Sequence, residues 1–447
     1  MTKKIFVLTE KSVWKIALSL LYLCFVFISY FSGFNLQYIF VIGIVIIYIL
    51  MMPSKLLNPK NIVFGFYFVW YGVAPLLASR YENLKDNLEI ANKAFLMCFC
   101  TYAIAMITLE IMENKNKNYR AQNYVFKIKL LPLEKMALFF LFLIALSIYI
   151  EKTGGLSLWL TDANEAFFNR RGSGGFYLIF EYSLLILLFE YGNQKNKTIL
   201  KNIAYISICL CGMFFCGSKS TALLMLLILF SEQILKLKLK NPKSLIVIGV
   251  GIAVFIAGMY IRLKPIITDF IAIIATSLNY FDTFDELMLS LEEISPSLGS
   301  TILLPLNWVL MKLGGYYINV PYHDMSIWLT TIYYPDSWIN GGTHQWPIET
   351  DMYLSFHYWG GIPFLILYFI LIGIVYRNAE HKKGVWGYIY IIEMMNIISH
   401  LRGGLFIYWY WYLIPMYIVL LLRFRRKEFR REEKMDVKNR VKRYTCN

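Results

Sequence analysis

The feature that most constrains this chain is a series of apolar runs, each long enough to cross the hydrocarbon core of a membrane. About 20 helical residues span that core, and 58% of the 447 residues are hydrophobic. Runs of this length predict helices, which satisfy their own backbone hydrogen bonds in lipid. The sequence therefore predicts an all-α polytopic membrane protein with about 12 transmembrane helices. The predicted spans are residues 13–31, 36–52, 62–78, 91–112, 133–150, 174–191, 199–216, 221–235, 245–261, 352–376, 385–399 and 405–422.

Basic residues fall mainly on one side of these predicted spans. With the N-terminus placed inside, the inner segments hold 33 of the 44 Lys and Arg residues, as is typical of cytoplasmic loops. Both termini are therefore predicted to be cytoplasmic. The net charge of +15 indicates contact with the anionic inner leaflet and does not suggest nucleic acid. We expect one integral membrane domain, residues 1–447, with a basic cytoplasmic tail at 423–447.

Two segments on the predicted outer side are longer than simple connectors. The smaller loop covers residues 151–173 and the larger loop covers residues 262–351. Within the larger loop, 266–291 and 300–313 predict short helices, whereas Gly and Pro residues from Gly314 onward predict irregular backbone. Irregular backbone cannot face lipid, so the loop is expected to pack on the bundle or to line a cavity.

Several cations on the predicted outer side lie in tight or glycine-flanked turns. Such turns are poorly suited to anchoring a helix at the membrane interface. Arginine holds phosphate oxygens through a planar fork of donors, and lysine adds a point charge. If the outer ends of the spans converge, these cations form a ring that suits a lipid-linked pyrophosphate. The alternative is that each cation snorkels to the interface or pairs with a nearby carboxylate. The predicted pyrophosphate-binding residues are Arg170, Arg171, Lys219, Arg262, Lys264 and Arg402.

A second group of residues precedes the tenth predicted span and offers candidate bases. His344, Glu349 and Asp351 are predicted to be catalytic, because burial and nearby arginines can tune an imidazole or carboxylate for general base catalysis. Asp351 and Ser355 are four residues apart and are expected to share a helix face. The alternative is that the two acids only complement a helix N-terminus and that His344 is an ordinary loop residue. No Asp/His cluster demands a metal, and no cofactor is expected.

Aromatic residues are concentrated in the larger loop and are mixed with polar ones. That mixture suits stacking on sugar faces, although an interfacial aromatic belt would use the same residue types. Glu181 and Glu393 lie within predicted spans, where a carboxylate is costly and faces a cavity or a partner. These two carboxylates fit either of two roles: they pair with the outer arginines, or they bind protons in a proton-coupled transporter. The predicted sugar-binding residues are Tyr322, Trp328, Tyr334, Trp338, Trp346 and Tyr353.

The segment Asp-Met-Tyr-Leu-Ser-Phe-His-Tyr-Trp-Gly at 351–360 resembles the acidic-x-Tyr-x-Asn/Asp-Phe-Gly-x-x-Gly stretch of bacterial O-antigen and oligosaccharide repeat-unit polymerases. In that family the stretch also follows a large periplasmic loop and opens a late span. Ser355 stands where the family has Asn or Asp, and His357 stands where it has Gly. These departures leave open whether Asp351 or Glu349 plays the family's acidic part. The matching residues are Asp351, Tyr353, Phe356 and Gly360.

The resemblance implies a GT-C-like fold and a metal-independent glycosyltransferase at the periplasmic face of the bacterial inner membrane, serving lipopolysaccharide or other surface-polysaccharide biosynthesis. Such a polymerase moves a growing glycan from undecaprenyl pyrophosphate to the non-reducing end of a lipid-linked repeat unit. A chain-length regulator and a flippase are its expected partners. Two rivals stay open: an O-antigen ligase, which differs in its acceptor, and a flippase for lipid-linked oligosaccharides, which usually lacks one dominant outer loop.

Overall fold

The computed structural model describes residues 9–77, 87–114, 130–170, 172–192, 198–263, 283–339, 342–382 and 384–422, together with residues 194, 269 and 281. At residues 164, 219, 232, 261–263 and 382 it describes the backbone alone. The predicted tail at 423–447 and most of the predicted helix at 266–291 lie outside this part of the chain. Throughout the described residues the fold is helical, without a β-strand, and Lys55 and Lys238 form an isolated bridge.

The helices follow one another in chain order and are joined mostly by short connections. A π-helix, Tyr67–Val73, and a 3-10 turn, Trp359–Gly361, interrupt the α-helical series. The α-helices are α1 Glu10–Phe31, α2 Leu36–Met51, α3 Pro59–Phe66, α4 Ala74–Leu77, α5 Leu88–Asn114, α6 Pro132–Lys152, α7 Gly155–Thr161, α8 Ala163–Phe168, α9 Gly174–Gly192, α10 Ile199–Cys216, α11 Lys219–Leu229, α12 Ser231–Ile234, α13 Pro242–Leu263, α14 Phe284–Glu293, α15 Leu304–Gly314, α16 Met325–Tyr333, α17 Pro335–Ile339, α18 Ile348–Phe356, α19 Ile362–Lys382, α20 Val385–Gly403 and α21 Tyr410–Leu422.

Seven helices within the described residues are long and apolar enough to cross a membrane, and three more are apolar but shorter. This finding agrees with the predicted class, an all-α protein with several membrane-spanning helices. The count of twelve spans and the direction of each span stay predictions. The long apolar helices are Glu10–Phe31, Leu88–Asn114, Pro132–Lys152, Gly174–Gly192, Ile199–Cys216, Pro242–Tyr260 and Trp359–His381.

Outward-facing leucines and isoleucines support a lipid-exposed perimeter. Leu21, Leu133, Ile199 and Leu245 are each 70% or more exposed, and a soluble protein rarely displays such continuous apolar surface. The most apolar stretch of α5 is 78% buried, whereas that of α13 is 11% buried. The helix α5 is therefore central, and α13 lies at the edge.

The tenth predicted span does not begin at Met352 as expected. The helix that contains Met352, α18, ends at Phe356, and the long apolar helix starts only at Trp359. His357 and Tyr358 separate the two with φ angles of +52° and +67°. His357 has the left-handed conformation that commonly ends a helix, and a positive φ is unusual for residues with side chains. The predicted catalytic carboxylates therefore lie on a short helix of their own, outside the span.

One further prediction of local structure needs correction, and another gains detail. Residues 62–77 of the predicted span 62–78 lie on a continuous helical stretch made of α3, the π-helix and α4, and π-helical turns occur frequently at functional sites. The backbone after Gly314 is not irregular throughout, since α16 and α17 form within it. Asp324 begins α16 by accepting hydrogen bonds from Ser326 N and Ile327 N at 2.9 and 3.3 Å, which is the usual action of an N-cap residue.

Two large apolar cores hold the bundle together. One surrounds α5 and includes α1, α2, α3, the π-helix, α14 and α19, and the other surrounds α9 and includes α6, α10, α11 and α20. A third, small core lies within the larger loop and consists of Leu304, Met325, Leu329, Trp346 and Leu354. The loop therefore packs as a folded layer against the bundle.

A buried ion-pair cluster, which we name the Lys60 network, joins α1, α3 and α5. Lys60 Nζ lies 2.6 Å from Glu110 Oε2 and 2.6 Å from Glu113 Oε2, and the Lys60 side chain is 2% exposed. Lys15 Nζ approaches Glu110 Oε1 at 3.4 Å, and Ser12 Oγ donates to the same oxygen at 3.2 Å. Each carboxylate of the Lys60 network therefore has a cation beside it.

Candidate functional site

The short helix α18 carries two of the predicted catalytic residues, and both are buried. It packs against α5, α14 and α20, so Glu349 is 0% exposed and Asp351 is 1% exposed. Burial disfavours the charged form of a carboxyl group. It raises the pKa of Glu349 to about 7 and the pKa of Asp351 to about 6.

Asp351 is held by groups from two other parts of the chain. Its Oδ1 accepts a hydrogen bond from the Thr301 hydroxyl, and its Oδ2 accepts from Leu405 N at 2.6 Å and Phe406 N at 3.4 Å. One helical turn later, Ser355 Oγ accepts from Thr301 N at 3.0 Å, which confirms that Asp351 and Ser355 share a face. Asp351 therefore joins α18 to the Thr301 turn and to the chain that follows α20.

The chain that follows α20, residues 403–408, forms a turn that meets the larger loop; we name it the 403–408 turn. Gly404 has a φ of +92°, and a Cβ there would lie 3.0 Å from Asp351 Oδ2 and 2.9 Å from Met325 Cε. Only glycine fits both that backbone angle and that close approach. Because Arg402 occupies the last turn of α20, this packing sets its backbone beside α16 and α18.

Glu349 faces the π-helix and the middle of α5. The Tyr67 hydroxyl donates to Glu349 Oε1 at 2.6 Å, and the hydroxyls of Thr101 and Tyr71 lie near enough to oppose the effect of burial on the Glu349 pKa. Glu349 Oε2 is buried, and no described residue gives it a well-formed hydrogen bond. Glu349 is therefore a buried acid surrounded by hydroxyl groups, without a neighbouring cation among the residues that the structure describes.

The imidazole of His344 is held on three sides. Its Nδ1 lies 2.9 Å from Glu286 Oε1 on α14, its Nε2 lies 3.2 Å from Ser337 Oγ on α17, and its ring stacks on Tyr334 with 3.7 Å between ring centroids. Its backbone N–H donates to Thr330 Oγ1 at 2.9 Å. The His344 side chain is 27% exposed, whereas that of Glu286 is 7% exposed. His344 is the most accessible of the three predicted catalytic residues.

Arg170, at the end of the smaller loop, packs over the turn that precedes α11. Its guanidinium carbon lies 3.9 Å from the centroid of the Phe167 ring. That ring fills the space beside Gly217, where φ is +57° and a Cβ would overlap it. The charge of Arg170 also reaches Tyr408 in the 403–408 turn, where burial raises the Tyr408 pKa to about 12 and Arg170 opposes that rise. The smaller loop therefore lies against the turn that precedes α11.

The other predicted cations are described in part. Arg171 and Lys264 lie outside the described residues, and the side chains of Lys219 and Arg262 do so as well. The backbone of Lys219 begins α11, and that of Arg262 lies in the last turn of α13, which packs against α11. The Phe167 ring packs on Gly217 and brings the backbone of Lys219 near Arg170, whereas Arg402 lies beside α16 and α18.

The predicted sugar-binding aromatics differ in their exposure. Trp346 is 0% exposed and lies in the small core of the larger loop, so it offers no ring face to a ligand in this conformation. Tyr334 stacks on His344, and the Tyr353 ring centroid lies 5.2 Å from Lys93 Nζ. The partly exposed members are Tyr322, Trp328, Tyr334, Trp338 and Tyr353.

Sequence reasoning missed three residues of this region. Glu286 and Ser337 contact His344, and Thr301 contacts Asp351, across 58, 7 and 50 positions of the chain respectively. One signal was available for Glu286, because Glu286 and Ser290 are four residues apart on a helix whose neighbouring positions 287 and 291 are leucines. That spacing sets a carboxylate beside an apolar helix face, where it needs a partner.

Comparisons with protein-family models, with curated proteins and with solved structures find no match to this chain. The functional assignment below therefore depends on the residues themselves.

Proposed function

We propose that this chain is a glycosyltransferase that polymerises lipid-linked oligosaccharide repeat units for a bacterial surface polysaccharide. One observation carries the proposal: α18 with its Asp351 motif and the 403–408 turn meet at one end of a bundle of apolar helices. A lipid-linked donor presents its pyrophosphate at the membrane surface. If the segments richest in Lys and Arg face the cytoplasm, this end of the bundle lies at the periplasmic face.

Arg170 is the best-placed residue to bind the pyrophosphate. Its guanidinium face rests on Phe167, and the residue is exposed, so the in-plane N–H donors stay available to phosphate oxygens. The N-terminus of α11, an 11-residue helix that begins with Lys219, lies beneath the same ring and contributes the positive end of its dipole. Together these groups would stabilise the negative charge that develops on the departing pyrophosphate.

His344 is the residue best suited to act as the general base. Both oxygens of Asp351 already accept hydrogen bonds that hold the 403–408 turn, and Glu349 has no exposed surface. His344 is partly exposed, and Glu286 accepts from its Nδ1, which leaves Nε2 as the basic nitrogen. A carboxylate in that position holds the imidazole in the required tautomer and stabilises its protonated form.

The proposed reaction is a single displacement. The acceptor hydroxyl oxygen attacks the anomeric carbon of the donor glycan, and the bond from that carbon to the pyrophosphate oxygen breaks. The proton of the acceptor passes to His344 Nε2, and the pyrophosphate leaves with the electron pair of the broken bond. The partly exposed Trp338 and Tyr334 beside His344 offer ring faces on which an acceptor sugar would stack. Direct displacement inverts the anomeric configuration, so retention in the product by NMR would reject this scheme.

Deletion of the gene in its host tests the proposed activity, with surface polysaccharide analysed on a gel. A polymerase deletion leaves lipid A core carrying a single repeat unit, because export and ligation still work. Loss of every repeat, including the first, would contradict the polymerase and indicate a ligase or a flippase.

Complementation with variants tests the phosphate assignment. Arg170→Ala should restore no polymer, whereas Lys152→Ala, a cation of the same loop whose Nζ lies 5.9 Å from the Phe176 ring, should restore it. Arg262→Ala is expected to behave like Arg170→Ala. Full-length polymer from both arginine variants, at equal membrane abundance, would remove the phosphate role from these residues.

A further inference from the structure

Ser337, His344 and Glu286 form a continuous hydrogen-bonded row across the larger loop. Ser337 Oγ lies 3.2 Å from His344 Nε2, and His344 Nδ1 lies 2.9 Å from Glu286 Oε1. A hydroxyl beside an imidazole whose second nitrogen meets a carboxylate is the arrangement that activates a serine nucleophile. The polymerase proposal uses the imidazole and the carboxylate, and it gives the hydroxyl no role.

The row is held by contacts from outside it. The Tyr334 ring lies nearly parallel to the His344 ring, at an interplanar angle of 7°, and His344 N donates to Thr330 Oγ1. Gly342 N donates to Ser337 O at 2.8 Å, which closes the chain between the serine and the histidine. Catalytic groups need this kind of fixed geometry, because a small displacement of either reacting atom lowers the rate steeply.

The row runs from a buried residue to two partly exposed residues. Glu286 is buried, His344 is partly exposed, and Ser337 lies on the short helix α17, where it is half-buried beside the exposed Ile339. The hydroxyl end of the row is therefore nearer to solvent than the carboxylate end. The half-buried Trp338 follows Ser337 directly, so a sugar stacked on that ring would place its substituents near the hydroxyl.

We propose that Ser337 is the nucleophile of a second active site, which cleaves short-chain acyl esters on sugar hydroxyls, with His344 as its base and Glu286 as the residue that positions His344. The site does not depend on the polymerase assignment. In polymerisation a sugar hydroxyl would take the place of Ser337 Oγ at His344 Nε2, so the two chemistries share one imidazole.

The proposed step balances with water as the only other reactant. Ser337 Oγ attacks the acyl carbon while its proton passes to His344 Nε2, and the bond from the acyl carbon to the sugar oxygen breaks. The sugar oxygen leaves with that electron pair and takes the proton from His344. Water then attacks the acyl-serine with His344 again accepting a proton, which releases the carboxylic acid and restores the Ser337 hydroxyl.

A fluorophosphonate probe tests the nucleophile on the purified full-length chain in detergent micelles, with the labelled residue identified by mass spectrometry. Wild type should carry the adduct on Ser337. His344→Gln should slow labelling by about 100-fold or more, and Glu286→Gln should slow it as well. Ser300→Ala is the matched control, because Ser300 lies in the same loop and its Oγ has no hydrogen-bond partner among the described residues.

Release of acetate from an acetylated sugar ester is the second measurement. Ser337→Ala should abolish both labelling and acetate release, whereas Ser300→Ala should leave both at the wild-type rate. Absence of a Ser337 adduct in folded wild type would overturn the proposal. So would Ser337 labelling that proceeds equally fast in His344→Gln, since an unactivated serine would then account for it. A polymer ladder in the host with no Ser337 adduct would reject this site alone and leave the polymerase proposal standing.

Discussion

The Lys60 network and the carboxylates of α18 use buried charge in opposite ways. In the Lys60 network, Glu110 and Glu113 lie within 2.6 Å of Lys60 Nζ, so each negative charge is matched. On α18, Glu349 and Asp351 are fully buried but are held by hydroxyl and backbone N–H groups, with no cation at ion-pair distance among the described residues. The ion pairs of the Lys60 network favour the charged form of these carboxylates. The arrangement on α18 leaves two acids whose pKa values, about 7 and about 6, allow them to gain or lose a proton near neutral pH.

The largest effect is expected from removing the cation of the Lys60 network. Lys60→Met would leave Glu110, whose side chain is 6% exposed, without its main partner, and breaking a buried ion pair from one side costs about 3–5 kcal/mol. The midpoint of thermal unfolding in detergent micelles should therefore fall clearly. An unchanged midpoint would mean that these carboxylates are solvated or protonated, and the contrast with α18 would disappear.

In the larger loop, removing the proposed base His344 should lower activity rather than stability. His344→Gln removes the proposed base and is expected to lower the polymerisation rate by about 100-fold to 1,000-fold, with an unfolding midpoint close to wild type because the side chain is partly exposed. His357→Asn is the matched control, since asparagine tolerates the left-handed backbone at that position. Equal loss of polymer in both variants would argue that the loop is sensitive to any change.

Replacing Glu349 by neutral glutamine should stabilise the folded protein at high pH, whereas most single substitutions lower stability. Because the folded pKa is raised from 4.5 to about 7, the folded protein binds this proton more tightly than the unfolded chain, and stability falls as pH rises through that range. Glu349→Gln should therefore match wild type at pH 4 and exceed its stability at pH 8 by about 3 kcal/mol. Unfolding midpoints across that pH range measure the difference. A variant that is less stable at pH 8 would contradict the assignment of a buried, unpaired acid.

The smallest effect is expected at an exposed ion pair. Lys55 Nζ lies 2.7 Å from Glu380 Oε1, but the Lys55 side chain is 36% exposed, and exposed pairs contribute about 1 kcal/mol or less. Lys55→Ala should leave the unfolding midpoint within a degree or so of wild type. A loss as large as that of Lys60→Met would show that burial does not separate the two pairs.

The sequence was sufficient for features that depend on local composition. Apolar runs predicted the membrane helices, and several bounds agree closely, as for Gly174–Gly192 and Ile199–Cys216. Spacing alone placed Asp351 and Ser355 on one face, and both contact Thr301. These features follow from periodicity and hydropathy, which can be determined from a short segment of the sequence.

Features that depend on distant contacts could not be predicted in this way. Glu286, Thr301 and Tyr67, which bind His344, Asp351 and Glu349, lie 50 to 282 positions away, and no local pattern pairs them with those residues. The break at His357 and Tyr358 was missed because a positive φ is uncommon for any residue other than glycine, even for histidine, which is enriched there. Lys60 was counted among the cations of a cytoplasmic loop, although its burial in the Lys60 network gives it a structural role.

The long-range hydrogen bonds of α18 also set the order in which the chain can assemble during synthesis. Helix α18 leaves the ribosome before residues 405 and 406, whose backbone N–H groups satisfy Asp351 Oδ2. A nascent chain that has been synthesised as far as α19 therefore still lacks two donors to Asp351. The candidate site is completed only when α20 has entered the bundle and the 403–408 turn has closed, so a protein truncated before Gly404 would insert its earlier helices and remain without a finished site.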